Sequence, residues 1–344
     1  MTTPSTSAST AREVIAVILA AGRSTRMKTS LPKVLHEVCG RPMLAYVLDA
    51  CRGAGIRRVC VVVGYGKDAV IEAFAADGDI TWVEQAEQKG TGHAVRMCEP
   101  ALRDFAGDVV IIAGDMPLIH AETLNTLLAT HRRGGAAMTL ATTMLDVSVE
   151  YGRIVRDEAG RLRGIIEYRD CTAEQRNIQE MNPSYYCFDS RRLFSTLARI
   201  DNRNAKGEFY LTDAVALLIG AGERVEAVAA VPAEDAVGVN SRRDLATIND
   251  LMRRRILNRW MDDGVTIVDP ATTWIDSGAV LGDDTIIEPF CYIGHDAVIG
   301  RGARIGPFAL VPNGARVADG GRFEPNGETA IPAALRGRLQ GAER

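Results

Sequence analysis

Three short apolar runs punctuate the first third of the chain: VIAVILAA at 14–21, VCVVVGY at 59–65 and VVIIAGD at 109–115. None alternates polar with apolar positions, and each closes on glycine or an acid. Strands buried on both faces of a parallel sheet read this way. Between the first two, PMLAYVLDACRGAG sets Met43, Leu44, Val47, Leu48 and Cys51 on one helical face and stops at glycine. The alternation of strand and helix predicts an α/β domain with an open sheet and helices on both sides. In such sheets ligands bind at the carboxyl ends of the strands, where AGRSTR and AGD both fall.

From about residue 136 to 239 the pattern breaks into shorter strands. SRRDLATINDLMRRRILNRW at 241–260 then reads as a connecting helix, with Ser241 and Asp244 spaced as a capping box and Leu245, Ile248, Met252 and Ile256 forming a stripe. Beyond it, seven hexads run from 279 to 320, with Leu281, Ile287, Ile293, Ile299, Ile305, Val311 and Val317 at the third position and glycine following in four of them. A six-residue period of this kind builds a β-helix, each hexad forming one face of a triangular coil. Seven hexads give just over two coils. The expected layout is a disordered polar tail over 1–12, an α/β domain over 13–240, the connecting helix over 241–262, the β-helix over 263–326 and a loose tail over 327–344.

Composition narrows the chemistry. A net charge of −4 argues against a general polyanion surface, so nucleic acid is not an expected partner. No run approaches the roughly 18 apolar residues of a spanning helix, so no membrane partner is expected either. Seven scattered cysteines, never spaced as C-x-x-C, suggest neither a disulfide framework nor a zinc site, and a reducing cytoplasm suits them.

Against that background, LAAGRSTRMKTSLPKVLH at 19–36 places Arg23, Arg26, Lys28 and Lys33 directly behind a buried strand. A strand running into a glycine turn can aim backbone N–H groups at a phosphate, and nearby cations can neutralise it. The competing reading is a solvated turn; the spacing is neither the P-loop nor the dinucleotide fingerprint. In QAEQKGTGHA at 85–94, Gln85 and Gln88 carry the paired donor and acceptor needed to read a pyrimidine edge, while GTG permits close backbone approach. A polar loop entering a helix at Thr91 would look the same, and His93 is given no chemistry. Asp115 in AGDMPL sits where a hard cation beside a nucleotide needs a carboxylate, or where a helix needs an N-cap.

Taken in order, LAAGRSTRM, LPKVLH, QAEQKGTGHA and GDMPL resemble the sugar-nucleotide pyrophosphorylases, above all the uridyltransferase half of the bifunctional bacterial N-acetylglucosamine-1-phosphate uridyltransferases. YGRIVR at 151, GIIEYRDCTAEQRNIQEMN ending at 182, NAKGEFYLTD at 204 and VGVNSRRDL at 237 extend the likeness over 14–320. The resemblance implies a Rossmann-like, mixed, mainly parallel sheet nucleotidyltransferase domain followed by a short left-handed β-helix. It also implies synthesis of a UDP-sugar and pyrophosphate from UTP and a sugar 1-phosphate, with Mg2+ as cofactor.

Residue by residue, Leu19, Ala20, Ala21 and Gly22 match the nucleotide loop, and Arg26 and Lys33 match its phosphate-facing cations. Gln85, Gln88, Gly90 and Thr91 match the uracil segment, and Asp115 and Asn240 match the magnesium pair. Gly152, Glu167 and Asn182, together with Asn240, match the sugar-phosphate pocket. Tyr210 and Asp213 are read as packing and supporting residues.

Three departures stand out: Ser24 where glycine is usual, Ala113 where an aromatic often precedes GD, and Pro183–Ser184 where Thr-Gly or Ser-Gly follows the pocket asparagine. The short run of hexads leads to the expectation that acetyl transfer is absent and that the stub is structural. A homo-oligomer, in particular a homotrimer through the β-helix, is expected from the resemblance. The alternatives are transfer of another nucleotidyl group or to another sugar 1-phosphate, a sugar-nucleotide-binding subunit without catalysis, and an acyltransferase on the β-helix.

Overall fold

The computed structural model describes residues 12–23, 25–146 and 149–325. They pack as two units, one comprising the chain up to His36 and Met43–Asp244, the other Glu37–Pro42 and the chain from Leu245 on. A single cut near residue 240 therefore misses the six-residue excursion at 37–42, which packs with the second unit. Among the described residues no helix is long and apolar enough to cross a membrane.

The chain opens with β1 (Val14–Ala20), the short pair β2 (Glu37–Val38) and β3 (Arg41–Pro42), α1 (Met43–Gly53), β4 (Arg58–Val63), α2 (Lys67–Ala73) and β5 (Ile80–Glu84). It continues with α3 (Thr91–Arg96), α4 (Glu99–Leu102), β6 (Asp108–Ala113), α5 (Ala121–Gly134), β7 (Met138–Met144), β8 (Gly152–Arg156) and β9 (Leu162–Ile166). The last elements of the first unit are β10 (Glu180–Asp189), α6 (Ser190–Leu197), α7 (Asp213–Gly220) and β11 (Val225–Ala229), and α8 (Arg242–Asp262) begins at its edge.

The main sheet runs β11-β7-β10-β6-β1-β4-β5, with β8 and β9 branching from β10. The expected apolar runs are its centre. β1 lies parallel between β4 and β6, and β5 extends β4 in parallel. Alternate residues of β1 feed opposite cores: Ala16 and Ile18 join Leu44, Val47, Leu48 and Leu124 on one face, while Ile15 and Val17 join Val95, Leu193 and Val215 on the other. Two covered faces are why these strands show no polar alternation. The element the apolar pattern does not reveal is β10, which inserts antiparallel between β6 and β7 and makes the sheet mixed.

Arg12 anchors the start of this unit, its guanidinium 2.8 Å from the fully buried Asp108 and 2.7 Å from Asp189. It therefore belongs to the folded domain rather than to the tail expected over 1–12. The rest of that tail and the one at 327–344 lie outside the described residues.

In the second unit, two-residue strands from Thr266–Ile267 to Arg322–Phe323 stack in three parallel ladders. This is the coil of a short left-handed β-helix of hexapeptide repeats. The inward residues Ile275, Leu281, Ile287, Ile293, Ile299, Ile305 and Val311 are buried. Among the described residues the ladders hold four, three and three strands, which make three turns and the start of a fourth, more than the just over two coils the hexads alone suggest. Strands at 266–267 and 274–275 pair with 286–287 and 292–293, but an eight-residue step between them hides the period.

Candidate active site

The carboxyl ends of β1 and β6 open onto a cleft of about 660 Å³. Of the residues picked from sequence, Leu19, Arg26, Thr91, Asp115, Gly152, Glu167, Asn182 and Asn240 all line it. The cleft thus gathers residues from seven segments of the first unit, scattered over more than 200 positions.

Its charged centre is compact. The Lys33 ammonium is ion-paired with Asp115 and lies 3.3 Å from Asn240 Oδ1, and Arg26 donates to the same Asn240 oxygen at 2.9 Å. Lys33 is held by a single turn of 3-10 helix, Lys33–Leu35, that buries Val34. Asp115 stands two residues past the end of β6, as the AGD run predicted. One cation is therefore embraced by a carboxylate and an amide oxygen, the donor chemistry that a hard divalent ion takes.

Asn240 owes its place to its neighbours. Asp244 accepts from the backbone N–H of both Asn240 and Ser241, at 2.9 and 2.8 Å, while Ser241 Oγ accepts from Asp244 N–H at 3.3 Å. This is the reciprocal capping box read from the sequence, and it fixes Asn240 and Ser241, the two residues ahead of α8.

The sugar-side predictions converge on the β8–β10 corner. Asn182 is paired with Gly152 across the two strands and donates from Nδ2 to Tyr186 Oη at 2.6 Å. A Cβ on Gly152 would lie 2.7 Å from Ile165 Cγ2, so only glycine fits the crossing. Glu167 accepts from Thr212 Oγ1 at 3.0 Å, and burial raises its carboxyl pKa. The register of β10 shifts between Met181 and Tyr185, and Ser184 sits there at φ +70°. That is the position where the resembling family carries glycine. Here Asn182 Oδ1 accepts the Ser184 N–H at 3.2 Å, which steadies the left-handed residue. Ala113 lines the cleft without distorting β6, and Ser24 lies outside the described residues.

Ala20, Ala21, Gly22, Lys33, Gln85, Gln88 and Gly90 do not line this cleft, and Lys33 meets it only through its contacts to Asp115 and Asn240. Ala21 and Gln85 meet at Gly64, where a Cβ would come within 2.8 Å of Ala21 O and 2.9 Å of Gln85 O. Gly22 has nothing within 4 Å of an added Cβ and faces open space, and Gln88 is exposed. Gln85 is buried, donating to Gly90 O at 3.1 Å, with His93 Nδ1 3.0 Å from the same nitrogen. Burial lowers the His93 pKa, so the ring stays neutral and can accept from the amide. Gly90 uses its freedom, at φ +106°, to pass Phe209, whose carbonyl would be 2.6 Å from a Cβ. Thr91 Oγ1 accepts from Leu211 N–H.

Sequence reasoning passed over several residues that the geometry brings in. His93 orients Gln85, Gly64 lets two loops meet, and Tyr151, Thr212 and Gly238 line the cleft. Tyr151 heads the YGRIVR motif, and its aromatic ring beside a glycine was the available signal. Arg23 lies over the Tyr65 ring at 5.1 Å and does not line the cleft. The one cluster of His, Cys and carboxylate near metal spacing among the described residues is Asp108, His131 and Cys187. There Arg12 and Arg132 occupy the Asp108 oxygens at 2.8 and 2.7 Å, which makes it an ion-pair hub.

Residues 16–217 match the MobA-like NTP transferase domain family, and 278–313 match the bacterial transferase hexapeptide family over six repeats. The chain belongs to the MobA-like NTP transferase family, in keeping with the resemblance of its motifs. Among curated proteins it is similar to the bifunctional protein GlmU of Pelobacter propionicus, 46% identical over 280 residues, which are 81% of this chain and 61% of that protein. It is similar also to GlmU of Geobacter metallireducens, 45% identical over 277 residues, 80% and 58% of the two chains. The chain spans about three-fifths of the length of these relatives.

Proposed function

We propose that this protein transfers the uridylyl group of UTP to a sugar 1-phosphate, N-acetylglucosamine 1-phosphate in the first place, giving the UDP-sugar and pyrophosphate. The observation that carries the reading is the Lys33–Asp115–Asn240–Arg26 cluster, whose Arg26, Asp115 and Asn240 line one cleft with Glu167, Asn182 and Gly152. Motif resemblance and similarity to the GlmU proteins support the choice of nucleotide and sugar.

The attacking atom is a phosphate oxygen that is already anionic, so no general base or protein nucleophile is needed. The obstacle is repulsion between two polyanions and their alignment. Leu19, Ala20, Ala21 and Gly22 bring backbone amides to the triphosphate, and Arg26 and Lys33 neutralise charge at the α-phosphate and the departing pyrophosphate. Lys33 changes partners, leaving Asp115 for phosphate. Gln85, held by Gly90 and His93, reads the uracil edge with Gln88 and Thr91 beside it. Glu167, Asn182 and the Gly152 backbone take the sugar. Asp115 and Asn240 are the residues that would hold magnesium, whose charge there offsets that of the phosphates. The seven buried free thiols support a reducing cytoplasm as the place of work, and the half-exposed outward residues Tyr292 and Leu310 support homotrimer formation through the β-helix.

The test is pyrophosphate release with UTP, dTTP and ATP against N-acetylglucosamine 1-phosphate and glucose 1-phosphate. UTP with the acetylated sugar is expected to exceed every other pair by at least about tenfold. A larger kcat/KM for dTTP or for glucose 1-phosphate would replace the assignment of nucleotide or sugar.

A further inference from the structure

Residues 236–241 form neither helix nor strand up to the cap of α8, yet four consecutive backbone N–H groups in this loop are bonded. Gly238 N–H donates to Tyr151 Oη at 2.9 Å, Val239 N–H to Asp115 O at 3.1 Å, and Asn240 and Ser241 N–H to Asp244 Oδ2. Tyr151 Oη in turn donates to Ala236 O at 2.6 Å. A single hydroxyl thus closes the loop upon itself, as acceptor from one side and donor to the other. The loop fits its clamp closely: a Cβ on Gly238 would stand 2.8 Å from Met116 Sδ and 3.4 Å from Tyr151 Oη. Burial pushes the Tyr151 phenol up to about 12, so the hydroxyl keeps its proton and both bonds hold across the neutral range.

Three of these four bonds end on Asp244, near Asn240 in sequence, or on Asp115, on the metal side. Tyr151 alone ties the loop to the sugar strand, because it immediately precedes Gly152, the first residue of β8. We infer that Tyr151 is a positioning residue that couples the sugar-phosphate pocket to Asn240, holding that amide oxygen opposite Asp115 by clamping residues 236–238. Tyr151 touches no reacting atom; its effect runs through Asn240. The inference rests on the uridylyl-transfer reading only for the identity of the ions and phosphates that Asn240 meets.

The test uses the full chain and Tyr151→Phe, which keeps the ring and removes the hydroxyl. In wild-type protein without substrates, the Gly238 amide is expected to exchange hydrogen as slowly as Val239. In Tyr151→Phe the 236–241 segment should exchange at least about tenfold faster while β1 and β4 stay unchanged. Manganese binding in the presence of UTP, followed by electron paramagnetic resonance, should weaken about five- to tenfold. Turnover should fall about tenfold, with KM for UTP within twofold of wild type.

An unprotected Gly238 amide in wild type overturns the inference without any variant, as does a Tyr151→Phe protein whose manganese affinity stays within twofold. If exchange and manganese binding behave as stated while UTP proves a poor substrate, the clamp stands and the proposed function fails. If UTP turns over but the clamp signals are missing, the reverse holds.

Discussion

Lys33 shows how much a single charge can be asked to do. It is half-buried against Asp115 and Asn240, and no apolar packing depends on its ammonium. Lys33→Ala should therefore lower kcat by at least about a hundredfold, the scale of removing one group that stabilises developing charge, while thermal melting shifts by only a few degrees. Equal rates for variant and wild type would remove Lys33 from the chemistry.

Asp213 makes a prediction of opposite kind. Burial first, then Asp201, Glu167 and Asp170, push its carboxyl up to about 6. A carboxyl that holds its proton more tightly when folded favours the folded state only while protonated. Its contribution is intact below the unfolded value near 4 and is lost as pH rises through about 6. Asp213→Asn should gain about 1 kcal/mol on wild type at pH 8, after allowance for solvent screening, and the gap should close toward pH 4 in paired melting curves.

Ser184, at φ +70°, is a third case. Ser184→Gly should change stability by no more than about 1 kcal/mol, upward if anything, because left-handed strain and glycine's chain entropy nearly cancel. A loss beyond that in denaturant titration would show that the serine side chain is needed.

At the scale of elements, what could be read from sequence divides by range. The α1 stripe is legible because a helix writes its buried face into neighbouring residues, and Met43, Leu44, Val47, Leu48 and Cys51 are all buried. The capping box of α8 is legible for the same reason. β10 is not, since its place between β6 and β7 is set by partners some 40 to 80 residues away.

Gly90 shows the same limit at a loop. The sequence offered GTG as an approach to a ligand, whereas the geometry uses Gly90 to pass Phe209 and start α3. Gly90→Ala combines a backbone conformation open almost only to glycine with a contact of 2.6 Å to a carbonyl, and should cost about 2–3 kcal/mol. Equilibrium unfolding would check it, and a stable variant would mean the loop has another conformation available.

For the whole molecule, the candidate site was half visible. Anionic chemistry was foreseeable at LAAGRSTR and AGD, because strand ends of an open sheet collect ligands wherever they fall. Gly152, Glu167, Asn182 and Asn240 were legible only through resemblance; as residue types they are ordinary surface choices, and the β8–β10 pairing of Gly152 with Asn182, the Glu167–Thr212 bond and the Asn240–Asp244 bond are what set them on one cleft. The β-helix was legible from its period, and its first two strands were not, because one eight-residue step separates them.

The central claim is that one cleft brings a triphosphate and a sugar phosphate together over Lys33 and Asp115. Phosphorus NMR of the full chain with UTP, N-acetylglucosamine 1-phosphate and magnesium tests it most directly. The account predicts that the UTP and sugar-phosphate signals are replaced, one for one, by UDP-N-acetylglucosamine and pyrophosphate, and that excess chelator or Asp115→Asn suppresses the change at least about a hundredfold. Unchanged spectra, or release of UMP or inorganic phosphate in place of the UDP-sugar, would contradict it.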